Sequence, residues 1–201
     1  MPRLLIATKN AHKTSEIRAI LGGAWEIEDL TAHPEIPAPE ESGETFVENA
    51  SIKAVAASNL FPGYVLADDS GLEVDSLRGA PGVLSARYSG PGSTDALNRA
   101  RLLRELGGAE SAARFRCSMA LARDGVILGT FDGTVEGRII NGERGTGGFG
   151  YDSLFVPVGY KESFGELPSE IKNGMSHRAR ALTTARDFLI KIVDGSDTRR
   201  T

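Results

Sequence analysis

The sequence is short of cysteine, of long apolar runs and of positive charge. Its 201 residues contain one cysteine, Cys117, so no disulfide can form within the chain. No apolar run approaches the ~18 residues that a membrane span needs, and the first residues lack a signal-peptide pattern. The net charge of −4 argues against a broad basic surface. We therefore expect a cytoplasmic protein with neither a membrane nor a nucleic acid polymer as partner.

Composition is that of a globular protein, except for glycine. Hydrophobic residues make up 40% and charged residues 25% of the chain, which is ordinary for a folded domain. The 24 glycines are about twice the usual share and cluster in loops. We expect residues 1–195 to form one domain of two lobes, and the polar residues 196–201 to form a disordered tail.

Apolar periodicity and turn signals predict an α/β fold, with a mixed β-sheet flanked by helices. An asparagine before the first helix and a capping box before the second mark two of the helix starts. Expected helices are 11–21, 45–60, 94–106 and one from residue 176; expected strands are 3–7, 25–30, 64–68, 72–77, 114–123, 126–139 and 151–158.

Two adjacent acids, Asp68 and Asp69, follow the apolar residues 64–67 and precede Ser70. We expect the strand to end here in a turn, at the sheet edge where α/β proteins bind ligands. Because strand side chains alternate between faces, one of the two carboxylates should face a cleft. Such a carboxylate can bind Mg²⁺ or act as a general base; the alternative is a turn acid that accepts backbone N–H groups.

The segment between the first strand and the first helix is a candidate phosphate site. Asn10 is a plausible N-cap, so free N–H groups and the positive helix end would point out of the strand terminus. Thr8 adds a hydroxyl and Lys13 adds a charge. The alternative is a capped helix with a solvated lysine.

Glu40 and Glu41 lie in a proline- and acid-rich loop, where such acids are either solvated or oxygen ligands for Mg²⁺. Lys53 lies one turn after Asn49 on the second helix, among alanines. A lysine in that position is either a snorkelling side chain or a cation for phosphate.

The segment Gly145–Gly150 matches the spacing G-x-G-x-x-G, but the strand-like residues 151–156 follow it. A dinucleotide fingerprint must open a helix, so we reject that reading. The segment is instead a loop that presents Phe149 for stacking and Asp152 for accepting an N–H from a base.

His177 and Arg178 occupy the expected first turn of the last helix, where the helix dipole disfavours cations. Both side chains can donate to a carbonyl oxygen of a ligand. Lys172 lies just upstream. The alternative is a surface network of ion pairs.

In this order, the four motifs resemble those of the inosine triphosphate pyrophosphatase (HAM1-like) family, whose members remove non-standard purine triphosphates. The motifs are T-x-N-x-x-K at Thr8–Lys13, D-D-S-G-L at Asp68–Leu72, G-T-G-G-F-G-Y-D at Gly145–Asp152 and S-H-R at Ser176–Arg178. The resemblance extends from about Leu4 to Leu189. It implies a homodimer with a long curved sheet and a central cleft between two lobes. It also implies Mg²⁺-dependent hydrolysis of ITP, dITP and XTP to the monophosphate and pyrophosphate.

The resemblance also implies roles for individual residues. Asp69 would be the general base and, with Glu40, would hold Mg²⁺, while Ser70 would contact the substrate. His177 and Arg178 would recognise the 6-oxo group of the base. The phosphates would be bound by Thr8, Lys9, Asn10, Ala11, His12, Lys13, Lys53 and Lys172, and the base by Phe149, Gly150, Tyr151 and Asp152.

Two other functions are compatible with these residues. One is a pyrophosphatase for pyrimidine or modified nucleotides. The other is a nucleotide-binding module without catalysis, which would keep the phosphate site but lack a competent base.

Overall fold

The computed structural model describes residues 1–193, so the predicted boundary at residue 195 and the predicted tail 196–201 lie outside the described residues. The strands are β1 (Arg3–Ile6), β2 (Glu26–Asp29), β3 (Tyr64–Val74), β4 (Ser111–Arg123), β5 (Val126–Ile139) and β6 (Phe155–Pro157). The helices are α1 (Ala11–Leu21), α2 (Phe46–Ser58), α3 (Asp95–Leu106), α4 (Ser169–Met175) and α5 (His177–Val193).

The strands form one six-stranded sheet in the order β2-β1-β3-β4-β5-β6. β1 pairs with β2 and with β3 in parallel, whereas β5 and β6 are antiparallel. The predicted mixed sheet flanked by helices is therefore confirmed. Along residues 1–193, no helix has the length and apolar character needed to cross a membrane.

Helix boundaries follow their capping residues closely. The Asn10 side chain accepts from the backbone N–H groups of His12 and Lys13, which confirms it as the N-cap of α1. Thr45 and Glu48 form the predicted capping box at the start of α2. These local hydrogen bonds satisfy N–H groups that have no partner inside the helix, so the sequence alone locates both starts.

The predicted turn after Asp69 is wrong. β3 continues through Asp68, Asp69, Ser70 and Gly71 without interruption. β3 lies between β1 and β4 in the sheet, and a central strand gains ladder hydrogen bonds on both edges that a turn would forfeit. The two expected strands 64–68 and 72–77 are consequently one.

The predicted strand 151–158 is also shorter than expected. A 3-10 turn occupies Asp152–Leu154, and only Phe155–Pro157 is extended. The short helix α4 was not predicted, because it has no N-cap side chain and begins directly after Pro168.

The described chain groups into two compact units. Unit 1 comprises residues 1–69, 118–133 and 179–193, and unit 2 comprises residues 70–117 and 134–178. Alanines of α2 and of β4 supply much of one core cluster in unit 1, together with Leu5, Val65 and Phe61. The core of unit 2 combines aliphatic residues with a group of aromatic ones, in which Phe115, Phe155 and Phe164 pack on one another.

Candidate active site

The start of α1 carries the polar and charged side chains of the predicted phosphate site. Thr8 Oγ1 accepts the N–H of Asn10 at 3.1 Å, and Asn10 Oδ1 accepts the N–H of His12 at 3.0 Å. Lys9 and His12 are exposed, and Lys13 is half-buried. Exposed polar groups at the positive end of a helix suit a phosphate.

Two lysines of unit 1 form ion pairs with its buried acids. Lys13 Nζ lies 3.0 Å from Asp68 Oδ2, and Lys53 Nζ lies 2.8 Å from Asp69 Oδ1. The Lys53 ammonium is also 3.2 Å from Glu41 Oε1. The structure therefore brings together Lys13, Lys53 and both acids of the D-D-S-G-L motif, which are far apart in the sequence.

Both Asp68 and Asp69 are buried, and they pair with different lysines. Burial raises the pKa of Asp69, and the adjacent Lys53 ammonium offsets only part of that effect. Burial acts to lower the pKa of Lys53, but the charges of Asp69 and Asp68 outweigh it and raise that pKa. A carboxylate with a raised pKa and limited water contact has the character of a general base.

Asn49 is a residue that sequence reasoning did not place in the site. Its Nδ2 lies 3.4 Å from Asp69 Oδ2, and its Oδ1 accepts the N–H of Gly43 at 2.8 Å. A Cβ at Gly43 would approach Asn49 Oδ1 to 2.7 Å, so a larger residue would disturb this contact. Asn49 thereby links the loop that precedes α2, which contains Gly43, to Asp69 on β3. Its position one turn before Lys53 is the signal that could have indicated it.

The acid of the loop that contacts this cluster is Glu41. Glu40, the expected metal ligand, is exposed, whereas Glu41 is paired with Lys53. The two acids are adjacent, so the sequence alone could not distinguish them. Residues 1–193 contain no group of three His, Cys, Asp or Glu side chains arranged to hold a metal ion.

In unit 2, Asp152 organises the glycine-rich loop. Its Oδ2 accepts the backbone N–H of Phe149 at 2.8 Å and the ammonium of Lys172 at 2.7 Å. Gly148 has a φ of +72°, and a Cβ there would overlap the Asp152 carboxylate. This close approach explains why the loop needs glycine next to Phe149.

Two cationic side chains lie close to the Phe149 ring. The Lys172 ammonium lies 4.8 Å and the Arg178 guanidinium carbon 5.7 Å from its centroid. Both distances fall within the range of cation–π attraction. The structure therefore groups Lys172 with Asp152 and Phe149 of unit 2, and its expected contact with phosphate stays a prediction.

His177 and Arg178 are almost completely buried. The His177 ring stacks on Phe115 at a centroid distance of 4.9 Å, and Arg178 Nη2 donates to Ser70 Oγ at 2.9 Å. Burial of a charged guanidinium is costly unless polar partners are close. A surface network of ion pairs, the alternative for these residues, does not fit their burial.

Comparison with known proteins identifies the family. The model of the Ham1 family matches residues 4–188. The chain belongs to the Ham1 family. A dITP/XTP pyrophosphatase of Geobacter sulfurreducens is 48% identical over 193 residues, which cover 94% of this chain and 97% of that protein. One of Geobacillus kaustophilus is 45% identical over 199 residues, covering 97% and 98% of the two chains.

Solved Ham1 structures have the same fold. The HAM1 protein of Coxiella burnetii superposes with a TM-score of 0.85 at 36% identity, covering 95% of this chain and 100% of that one. A nucleoside-triphosphatase / dITP/XTP pyrophosphatase of Mycobacterium abscessus has a TM-score of 0.73 at 38% identity, covering 91% and 98%. These findings confirm the family resemblance and the α/β fold that accompanies it.

Proposed function

We propose that this protein hydrolyses non-standard purine nucleoside triphosphates, with dITP and XTP as substrates, to the monophosphate and pyrophosphate. The observation that carries the proposal is similarity over nearly the whole chain to proteins named dITP/XTP pyrophosphatase. The grouping of Asp69 with Lys53 and Asn49 supports it, because phosphoanhydride cleavage needs cations, a positioned water and a base.

Asp69 is the proposed general base. It would take a proton from the water that attacks the α-phosphorus, while the bond from that phosphorus to the oxygen bridging to the β-phosphorus breaks. The electron pair of that bond leaves with pyrophosphate. Lys13 and Lys53, with the positive end of the α1 dipole, would bind the negatively charged phosphate oxygens.

Mg²⁺ is the proposed metal. Carboxylates are the ligands that it prefers, and the buried acids Asp68 and Asp69, with Glu41, lie beside the lysines of the proposed phosphate site. Within residues 1–193 these three acids are not grouped as a metal-binding set. Glu40, the ligand implied by resemblance, is the immediate neighbour of Glu41 in the same loop. When bound, the metal would neutralise charge on the triphosphate. The donor types fit, although each buried acid is paired with a lysine in this structure.

The base would be bound by unit 2. The Phe149 ring offers a stacking surface, and Arg178 and His177 can donate to a 6-carbonyl. Adenine carries an amino group at position 6, so the N–H donors of the base would face the N–H donors of Arg178 and His177. A site that leaves buried polar groups unpaired can reject an analogue by several orders of magnitude.

Product analysis with an Asp69 variant tests the proposal. In Mg²⁺, wild-type protein should convert dITP to dIMP and pyrophosphate, detected by ³¹P NMR, and Asp69→Asn should slow this at least about 100-fold. Asp124→Asn, the same change in the exposed β4–β5 turn, is the matched control. Release of pyrophosphate by Asp69→Asn at the parental rate would contradict the role of Asp69. A wild-type protein that binds dITP without cleaving it would be a binding module.

We also propose a homodimer, as the family resemblance implies, and a cytoplasmic location, as the composition indicates. Analytical ultracentrifugation should give about twice the 21.4 kDa mass of the chain. A single species at the monomer mass at micromolar concentration would contradict the dimer.

A further inference from the structure

Two side chains near the start of α3 hydrogen-bond to the backbone N–H and carbonyl of Gly150. Asp95 Oδ2 accepts the N–H of Gly150 at 2.7 Å, and Arg99 Nη1 donates to its carbonyl oxygen at 2.9 Å. Side chains four residues apart lie on the same face of a helix. One helical turn therefore fixes the orientation of the peptide planes on either side of Gly150. Hydrogen bonds to charged groups are stronger than those between neutral groups.

Arg99 also connects Gly150 to the start of the same loop. Its Nε lies 3.0 Å from Glu143 Oε2, and Glu143 in turn accepts the hydroxyl of Ser153 at 3.1 Å. The guanidinium thus links Glu143, two residues before the glycine-rich segment, to Gly150 at the end of that segment. Gly150 has a φ of +61°, a conformation that L side chains rarely adopt.

The helix that carries these side chains is itself anchored. Asn98, buried on α3, accepts the N–H of Ser89 at 2.7 Å and donates to the carbonyl of Ala86 at 3.1 Å. Leu102 is fully buried in the core of unit 2. Asp95 and Arg99 therefore project from a fixed support, which is what positioning of a loop requires.

We infer that Asp95 and Arg99 are positioning residues that hold Phe149 and Gly150 in the conformation that binds the nucleotide base. The inference rests on the proposed function. Neither residue is among those expected to touch substrate, and no motif of the sequence indicates them. Their effect would be on recognition of the base, because Phe149 directly precedes the glycine that they hold. The phosphate-binding residues Lys13 and Lys53 belong to the other unit.

The test separates base binding from phosphate binding. Steady-state kinetics with dITP and calorimetric binding of IMP and of pyrophosphate are measured for Asp95→Ala, Arg99→Ala and Asp95→Asn. Arg104→Ala, an exposed arginine on the same helix, is the control. The alanine variants should raise KM for dITP and Kd for IMP threefold to tenfold, which is less than the full effect of one lost hydrogen bond to a charged group because these side chains act on the base through the loop. Their kcat and their Kd for pyrophosphate should change less than about twofold.

Asp95→Asn should recover most of the IMP affinity, because an amide oxygen still accepts from the Gly150 N–H. The double alanine variant should lose less than the product of the two single effects, since both side chains act on one residue. Alanine variants that match Arg104→Ala, or that weaken pyrophosphate as much as IMP, would overturn the inference and leave the proposed function intact. Wild-type protein that neither cleaves dITP nor binds IMP would overturn both.

Discussion

The Lys53 ammonium lies 2.8 Å from the Asp69 carboxylate, and both side chains are largely buried. The same ammonium contacts Glu41. Removing one partner of a buried ion pair leaves an uncompensated charge, which is far more destabilising than loss of an exposed pair. We therefore expect Lys53 to contribute to the stability of unit 1 as well as to the proposed phosphate binding.

Lys53→Met should lower the free energy of unfolding by about 2–4 kcal/mol, because it leaves Asp69 beside other acids without its cation. Urea denaturation measures this, with Lys161→Met, at an exposed lysine, as the control that should change less than about 0.5 kcal/mol. Mg²⁺ should restore part of the loss by supplying positive charge. Equal free energies of unfolding for the two variants would contradict a large contribution of the Lys53–Asp69 pair to stability.

Arg178→Lys should reduce discrimination between dITP and dATP at least about tenfold, since an ammonium lacks the planar fork of donors that arginine presents. The ratio of the two kcat/KM values measures this and is insensitive to a general loss of active protein. Arg180→Lys, an exposed position two residues later on α5, is the control. An unchanged ratio for Arg178→Lys would remove Arg178 from base recognition.

Lys172→Met should weaken IMP binding about tenfold and leave pyrophosphate binding nearly unchanged. The reason is that Lys172 is paired with Asp152 and lies over Phe149, so its loss disturbs the glycine-rich loop. Lys13→Met should show the opposite selectivity. A larger loss for pyrophosphate than for IMP in Lys172→Met would favour the phosphate contact that resemblance implies.

His33 makes the stability of unit 1 depend on pH. Hydrogen bonds from its ring to Glu35 and Glu28 raise the pKa of His33 above 6.5. Hydrogen bonds from Arg3 and His33 lower the pKa of Glu28, against an opposing effect of burial. A raised histidine pKa stabilises the fold fully below the unfolded value, and that contribution is lost as pH rises through the folded pKa.

His33→Asn should therefore cost more stability at pH 6 than at pH 8.5, by under about 1 kcal/mol because the cluster is partly exposed. Thermal unfolding at both pH values measures the difference. A cost for His33→Asn that is the same at both pH values would contradict the assignment.

Local signals explain the parts of the fold that the sequence predicts well. The bounds of α1 follow from Asn10 before it and Gly22 after it, and both hydrogen-bond to residues two to four positions away in the sequence. The 3-10 turn at Asp152–Leu154 was missed because Asp152 is held by Lys172, which is twenty residues away. Such a contact leaves no trace in local periodicity.

The sequence likewise indicates only some of the residues of the candidate site. Motifs and resemblance indicated Asp69, Lys53 and Arg178, because residue type and order carry that information. They did not indicate Asn49 or the choice of Glu41 over Glu40 as the partner of Lys53. These depend on which side of a loop or helix meets a distant strand, and that is determined by packing.

The most direct test of the account is pyrophosphate release from dITP, XTP, ITP, GTP, ATP and UTP, with and without Mg²⁺. We predict cleavage of dITP, XTP and ITP to the monophosphate and pyrophosphate, at least about 100-fold more efficiently than ATP or UTP, and dependence on the metal. Equal turnover of UTP and dITP would contradict recognition of a 6-oxopurine, and release of orthophosphate in place of pyrophosphate would contradict the reaction itself.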